Sequence, residues 1–189
     1  METNNNFNKK KWIPFLIIFL VLFIDLGTKV IVVKTLEHNS VPVDIIGSYV
    51  RLKHIENPGM AFGLFPGGNK YLLIPIMLIA IGIVIFFYKT VKKDKIIVKC
   101  SFALILGGAL GNFADKVFGD IIFNQKLAFF YGRVVDFVDI GFGECRYCRW
   151  PTFNMADIAI TIGVIVLLYF VLIKKQDELF FKKPKKSEK

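Results

Sequence analysis

Apolar residues in this chain fall in long blocks, with neither the three-to-four spacing of an amphipathic helix nor the alternation of a half-buried strand. Four blocks approach the roughly 20 residues that cross a bilayer core, at about 13–33, 71–88, 96–118 and 156–173. Pro14 and Pro75 are expected in the first turns of two of these helices, where a missing N–H costs least. The intervening segments 34–70 and 119–155 are more polar. In the first, Val50 to Glu56 alternates as a half-exposed strand does. Asn57-Pro58-Gly59 then predicts a turn, because a residue before proline avoids the α region. Met60 to Phe65 is apolar enough to lie on a membrane. The pattern predicts a mainly α, polytopic membrane protein of four transmembrane helices, with a small sheet resting on the outer surface.

Charge orients these helices. Fifteen of the 25 lysines and arginines lie at the N-terminus (Lys9 to Lys11), between the second and third blocks (Lys89 to Lys99), or after the fourth (Lys174 to Lys189). Positive residues concentrate on the cytoplasmic side, so both termini are expected there, with 34–70 and 119–155 outside. The net charge of +10 is then topogenic and attracted to anionic headgroups, and needs no nucleic acid partner. Residues 1–175 read as one membrane-embedded domain and 176–189 as a basic cytoplasmic tail. The first block follows Lys9-Lys10-Lys11 but is too long for a signal peptide and lacks a small-residue cleavage site. It is expected to stay as a helix.

With alternating directions, the intramembrane polar residues collect in one layer. Asp25 lies thirteen residues beyond Trp12, or about 20 Å at the helical rise, which puts Asp25 and Lys29 in the outer half. Asn112, Asp115 and Lys116 end the third helix on that side, and Asn154 and Asp157 begin the fourth there. Asp136 is expected in the loop between these two helices. A carboxylate in or near hydrocarbon is costly, and so a functional candidate. Two that converge, such as Asp136 and Asp157, could share a proton and act on a water. Quieter roles are open to each group. Asp25 and Lys29 have the i,i+4 spacing of an ion pair, Asn154 and Asp157 suit an N-cap and first-turn acid, and Asp115 could pair with Lys116. Gly107 and Gly111 form a small-xxx-small helix contact. Asn57 could cap its turn or turn its amide to the carboxylates.

Five ordered segments carry a resemblance: Asp25-Leu-Gly-Thr-Lys29, Asn57-Pro-Gly-Met-Ala-Phe-Gly63, Gly107-Gly-Ala-Leu-Gly-Asn112-Phe-Ala-Asp115, Val134-Val-Asp136-Phe and Phe153-Asn154-Met-Ala-Asp157. Together, across about residues 12–173, they resemble the signal peptidase II family of bacterial membrane aspartic peptidases. The resemblance implies four helices, a periplasmic β-cradle and a short periplasmic helix in the inner membrane. It implies cleavage of diacylglyceryl-modified prolipoproteins just before the lipidated cysteine, with the active site at the outer leaflet. Asp136 and Asp157 match the catalytic pair. Asn57, Gly108, Asn112 and Asn154 match pocket or orienting positions, and Asp25, Lys29 and Asp115 match supporting ones. No cofactor and no metal are expected, and one copy suffices.

Two departures stand out. Lys116 occupies a position where the family usually has arginine, which removes bidentate geometry. The stretch from Asp115 to Asp136, with Phe129, Phe130 and Tyr131, is also longer than usual. Phe62, Phe65, Phe129 and Phe130 could close over the site. Cys145-Arg-Tyr-Cys148 has no second pair, so zinc would need His38 or His54, and a local disulfide is the simpler reading. Two other functions are open to such a chain. A transporter would set its carboxylates near mid-depth between repeats, which this pattern lacks. A lipid-binding protein without activity would bind lipidated precursor but not turn it over.

Overall fold

The structure, a computed structural model, describes residues 11–58, 70–92, 94–124, 132–143 and 148–173. Four helices carry the fold: α1 (Ile13–Thr35), α2 (Lys70–Thr90), α3 (Ile96–Asn124) and α4 (Met155–Leu168), the last continued by a π-helical turn over Tyr169–Ile173. All four are long and apolar enough to cross a membrane. Three strands, β1 (Val43–Ile46), β2 (Val50–Asn57) and β3 (Val134–Ile140), form one antiparallel sheet in the order β1-β2-β3. The helix and sheet expectations hold, with adjustments. Helix α3 runs six residues past the expected end, so Asp115 lies well inside it and not at its C-terminus. Pro14 does sit at the start of α1, but Pro75 falls inside α2, which begins at Lys70. Asp136 belongs to β3 and not to a loop. Part of the stretch expected to hold a periplasmic helix lies outside the described residues, as do Phe62, Phe65, Phe129, Phe130, Tyr131, Cys145 and the basic tail.

Helix α1 shows the fold turned inside out relative to a soluble bundle. Its Phe15, Phe19 and Phe23 are exposed, while its buried residues are Pro14, Asp25, Lys29 and Val32. In lipid the apolar exterior costs nothing, and charges are driven inward to one another. Helix α3 packs against the other three helices, and small residues bring it close. An added Cβ on Gly107 would stand 2.9 Å from Val21 Cβ of α1, and one on Gly111 would stand 2.5 Å from Asp25 Oδ2. On the other flank, a Cβ on Gly108 would run into the Ala156 carbonyl of α4.

The sheet lies against the ends of this bundle. Val135 and Phe137 of β3 are buried with Val32 of α1, and Leu52, Val138, Val33, Leu36, Phe123 and Met155 pack against that cluster. Opposed residues share a face, so Val43, Ile46, Val50, Leu52, Val138 and Ile140 form one side. Asp44, Arg51, Phe137 and Asp139 form the other, and Phe137 is buried with Val32 of α1. The register then shifts by one residue, Leu52 opposing Val138 but Ile55 opposing Asp136. A one-residue shift reverses the side-chain parity of a strand. Strict alternation would put Asn57 on the face of Arg51. The shift puts it on the face of Leu52 and Val138, with Asp136.

Replacing Gly108 by valine should force α3 from the α4 backbone and cost about 1–3 kcal/mol, read as a lower Tm in detergent. Gly27→Ala should leave Tm unchanged or raise it slightly, since nothing lies within 4 Å of the added carbon and alanine is the better helix former.

Candidate active site

Lys29 is fully buried, and its ammonium meets three acceptors. It bonds Asp25 Oδ2 at 2.7 Å one turn back on α1, and Asp115 Oδ2 of α3 at 2.8 Å. It also donates to Asn112 Oδ1 of α3 at 3.1 Å. An ammonium has three protons and no acceptor, so its capacity is filled. The i,i+4 pair expected within α1 is present and extends to α3. Asp115 pairs with Lys29 and not with its neighbour Lys116, because consecutive helical residues point about a quarter-turn or more apart.

Each carboxylate also holds a backbone amide at the start of an element that carries a candidate catalytic aspartate. Asp25 Oδ1 accepts from the Ala156 N–H at 2.9 Å, in the first turn of α4. Asp115 Oδ2 accepts from the Val135 N–H at 3.2 Å, beside Asp136. Lys116 donates to the carbonyls of Gly132 at 2.9 Å and Pro58 at 3.3 Å. It thereby ties the entry to β3 to the exit from β2. Gly132 takes a positive φ of 83° at that entry, which suits a residue without Cβ.

Asn154 joins the two candidate aspartates. It is the N-cap of α4, in a reciprocal capping box with Asp157. Its Oδ1 accepts from the Asp157 N–H at 3.0 Å, and its own N–H donates to Asp157 Oδ2 at 3.2 Å. Its amide nitrogen donates to Asp136 Oδ1 at 2.7 Å. Asn57 donates to Asp136 Oδ2 at 3.1 Å, and Asn112 to Asp157 Oδ1 at 2.9 Å. Both capping readings therefore apply, to Asn154 and to Asp157, and the same bonds draw in Asp136. Asn57 turns its amide to the carboxylate. Gly108 lies one turn below Asn112, at the α4 contact and not among these bonds.

Burial pushes the Asp136 carboxyl up to about 7; the bond from Asn57 pulls it back, the nearby Asp157 charge raises it further, and Asn154 and Lys29 lower it. The chemistry available is that of paired carboxyl groups in one amide net, one of them poised near neutral pH.

A second polar cluster escaped sequence reading. Arg149 Nε lies 3.0 Å from both Asp139 oxygens, and its terminal nitrogens donate to Ser48, Gly143 and Asp139 carbonyls at 2.8, 2.9 and 3.3 Å. Lys53 adds a contact to Asp139 at 3.4 Å. The cluster ties three chain segments, and no spacing announces it. The zinc and disulfide readings both involve Cys145, outside the described residues. His38 and His54 meet edge to edge with ring centroids 5.4 Å apart, and His54 Nδ1 donates to the Leu36 carbonyl at 3.0 Å.

Four helices long and apolar enough to cross a membrane, with two carboxyl groups joined by amides where they meet a small sheet, define a polytopic membrane protein. A family model described as signal peptidase (SPase) II matches residues 17–173. The chain belongs to that family and is a multi-pass membrane peptidase. A lipoprotein signal peptidase of Desulforapulum autotrophicum is 36% identical over 166 residues, covering 85% of this chain and 91% of the relative. One from Moorella thermoacetica is 37% identical over 162 residues, covering 85% and 93%. A solved bacterial membrane enzyme, determined by the in meso method at 2.3 Å, superposes with TM-score 0.72 and 25% identity over 90% of this chain and 94% of its own.

Because the Asp136 carboxyl is raised from 3.8 to about 7, the fold keeps a proton there that the unfolded chain has lost. Its contribution to stability is complete below the unfolded value and disappears as pH rises through about 7. Over that window Tm should fall more steeply for the wild type than for Asp136→Asn, measured in one detergent across a pH series.

Proposed function

We propose that this protein is an aspartic endopeptidase that removes signal peptides from diacylglyceryl-modified prolipoproteins, cleaving just before the lipidated cysteine, with Asp136 and Asp157 as its catalytic pair. The observation that carries the reading is the bridge by Asn154, which bonds Asp136 at 2.7 Å and caps the helix of Asp157. Two carboxylates at close range do not both ionise readily, so the pair holds one proton near neutral pH, and that proton belongs to the pair. The ionised member takes a proton from water while the resulting hydroxide attacks the scissile carbonyl. The protonated member gives its proton to the carbonyl oxygen. Collapse breaks the C–N bond, the nitrogen takes the water-derived proton, and the other proton returns to its carboxylate.

Asn57, Asn112 and Asn154 orient the pair; Asp25, Lys29 and Asp115 support it; Lys116 holds the segments beside it; Gly108 lets α4 approach. The same reading has both termini in the cytoplasm, the site at the outer leaflet of the bacterial inner membrane, and a single copy as the working unit. Acyl chains then remain in lipid while the peptide meets polar groups.

Val43, Ile46 and Ile140 share one face of the sheet and are exposed by 45%, 62% and 42%, an apolar surface at its outer edge. At its tip, exposed Tyr49 and Phe142 meet at 5.6 Å between centroids, near exposed Trp150. Apolar residues with aromatic ends suit the headgroup boundary. This supports a sheet whose apolar edge lies on the outer leaflet, with Arg51 and Asp139 of the opposite face buried.

Purified protein should cleave a diacylglyceryl-modified precursor in detergent and leave the unlipidated precursor intact. Asp136→Asn and Asp157→Asn should each lose at least about 10³-fold in kcat while keeping their fold. Wild-type turnover by either variant would remove the pair from the mechanism. In a Trp12→Phe background, lipids brominated near the headgroup should quench Trp150 in vesicles, and unchanged emission would lift the sheet off the membrane.

A further inference from the structure

The mechanism needs one ionised and one protonated carboxyl, and the surroundings of the two differ. Asp157 is the third residue of α4, in the first turn where the helix dipole favours an anion, and it is half-buried. Asp136 lies on a strand with 4% exposure, between two neutral amides. Desolvation weighs against a charge there.

Lys29 acts on this difference without touching either residue. An ammonium can only donate, so the Asn112 atom 3.1 Å from Nζ is the amide oxygen. That orientation turns the Asn112 nitrogen on Asp157 Oδ1 at 2.9 Å. The same oxygen also accepts from Asn154 Nδ2 at 3.1 Å, and Asn154 is itself fixed by the Asp157 N–H. A flipped Asn112 would set NH2 against an ammonium and a carbonyl oxygen against a carboxylate. The direct pull of Lys29, which favours the charged form of Asp136, is the smallest influence on that carboxyl, and its charge is already matched by Asp25 and Asp115 at 2.7 and 2.8 Å.

We infer that Lys29 is a positioning residue that, through the Asn112 amide, holds Asp157 as the ionised member of the pair and leaves the proton on Asp136. The inference rests on the reading of Asp136 and Asp157 as the catalytic pair. Asp157 then takes the proton from water and later delivers it to the leaving nitrogen. Asp136 lends its proton to the carbonyl oxygen and recovers it. The charged groups that act on Asp157 are Asp25 from α1 and Asp136 from β3; behind them stand Lys29 of α1 and Asp115 and Lys116 of α3.

The test compares Lys29→Met, Lys29→Arg and Asn112→Leu in cleavage of lipidated precursor across pH. Lys29→Met and Asn112→Leu should lose on the order of 10²-fold in kcat, with KM little changed. In both, the acid limb of the profile should move to higher pH, because a carboxylate without its donor holds a proton more tightly. Lys29→Arg should recover part of each effect. Should Lys29→Met fail to fold, Asn112→Leu decides alone, since it leaves both ion pairs of Lys29 in place. An acid limb unmoved in Asn112→Leu overturns the inference, as a merely structural role would lower Tm and leave the limb where it was. Infrared titration without substrate checks the proton directly. The protonated-carboxyl band that titrates near neutral pH should vanish in Asp136→Asn and persist in Asp157→Asn, and the reverse overturns the assignment. Because no cleavage enters that measurement, absence of peptidase activity and a wrong proton assignment are told apart.

Discussion

One buried ammonium holds this bundle and its site together. A lysine in hydrocarbon is stable only if every proton finds an acceptor, and breaking such a buried pair costs about 3–5 kcal/mol because a bare charge remains. Lys29 meets that condition with groups from two helices. The carboxylates it neutralises then spend their remaining bonds on the first turn of α4 and the start of β3. Elements far apart in the chain are thus referenced to one cation, and the aspartates they carry inherit that alignment. Where water would compete for such contacts, lipid enforces them.

The sheet solves a separate problem, that of presenting a polar amide from a strand whose neighbouring faces are dedicated to packing and to charge. Its register shift between Leu52 and Ile55 does this. Upstream of the shift the face shared with Val138 carries Leu52; downstream it carries Asn57. One strand therefore serves first as a lid over the ends of α1 and α3, and then as an arm of the site.

Much of this was legible in the sequence. Four helices follow from block length, since the bilayer imposes one number on all of them, and the polar layer follows from direction and rise. The carboxylates could be singled out because burial makes them expensive. What the sequence hid were relations that depend on register and rotation. Asp136 was expected in a loop because a seven-residue strand between two spans has little period of its own. Asp115 was expected beside Lys116 because adjacency in sequence is visible and a contact to Lys29 across α1 and α3 is not. The Arg149 cluster, built largely on backbone carbonyls, leaves no mark in residue types at all.

The Asp25 cap on α4 has a consequence for biosynthesis. The amide it satisfies belongs to the last span to emerge, while the carboxylate and its lysine belong to the first. Gly111, on the third, leaves the carboxylate its room. A chain with three spans inserted therefore has its anchor and its clearance but no nucleating helix end to receive. Arrival of the fourth span completes the cap and brings the last carboxylate with it. Assembly of the two carboxyl groups into one amide net is thus tied to completed insertion.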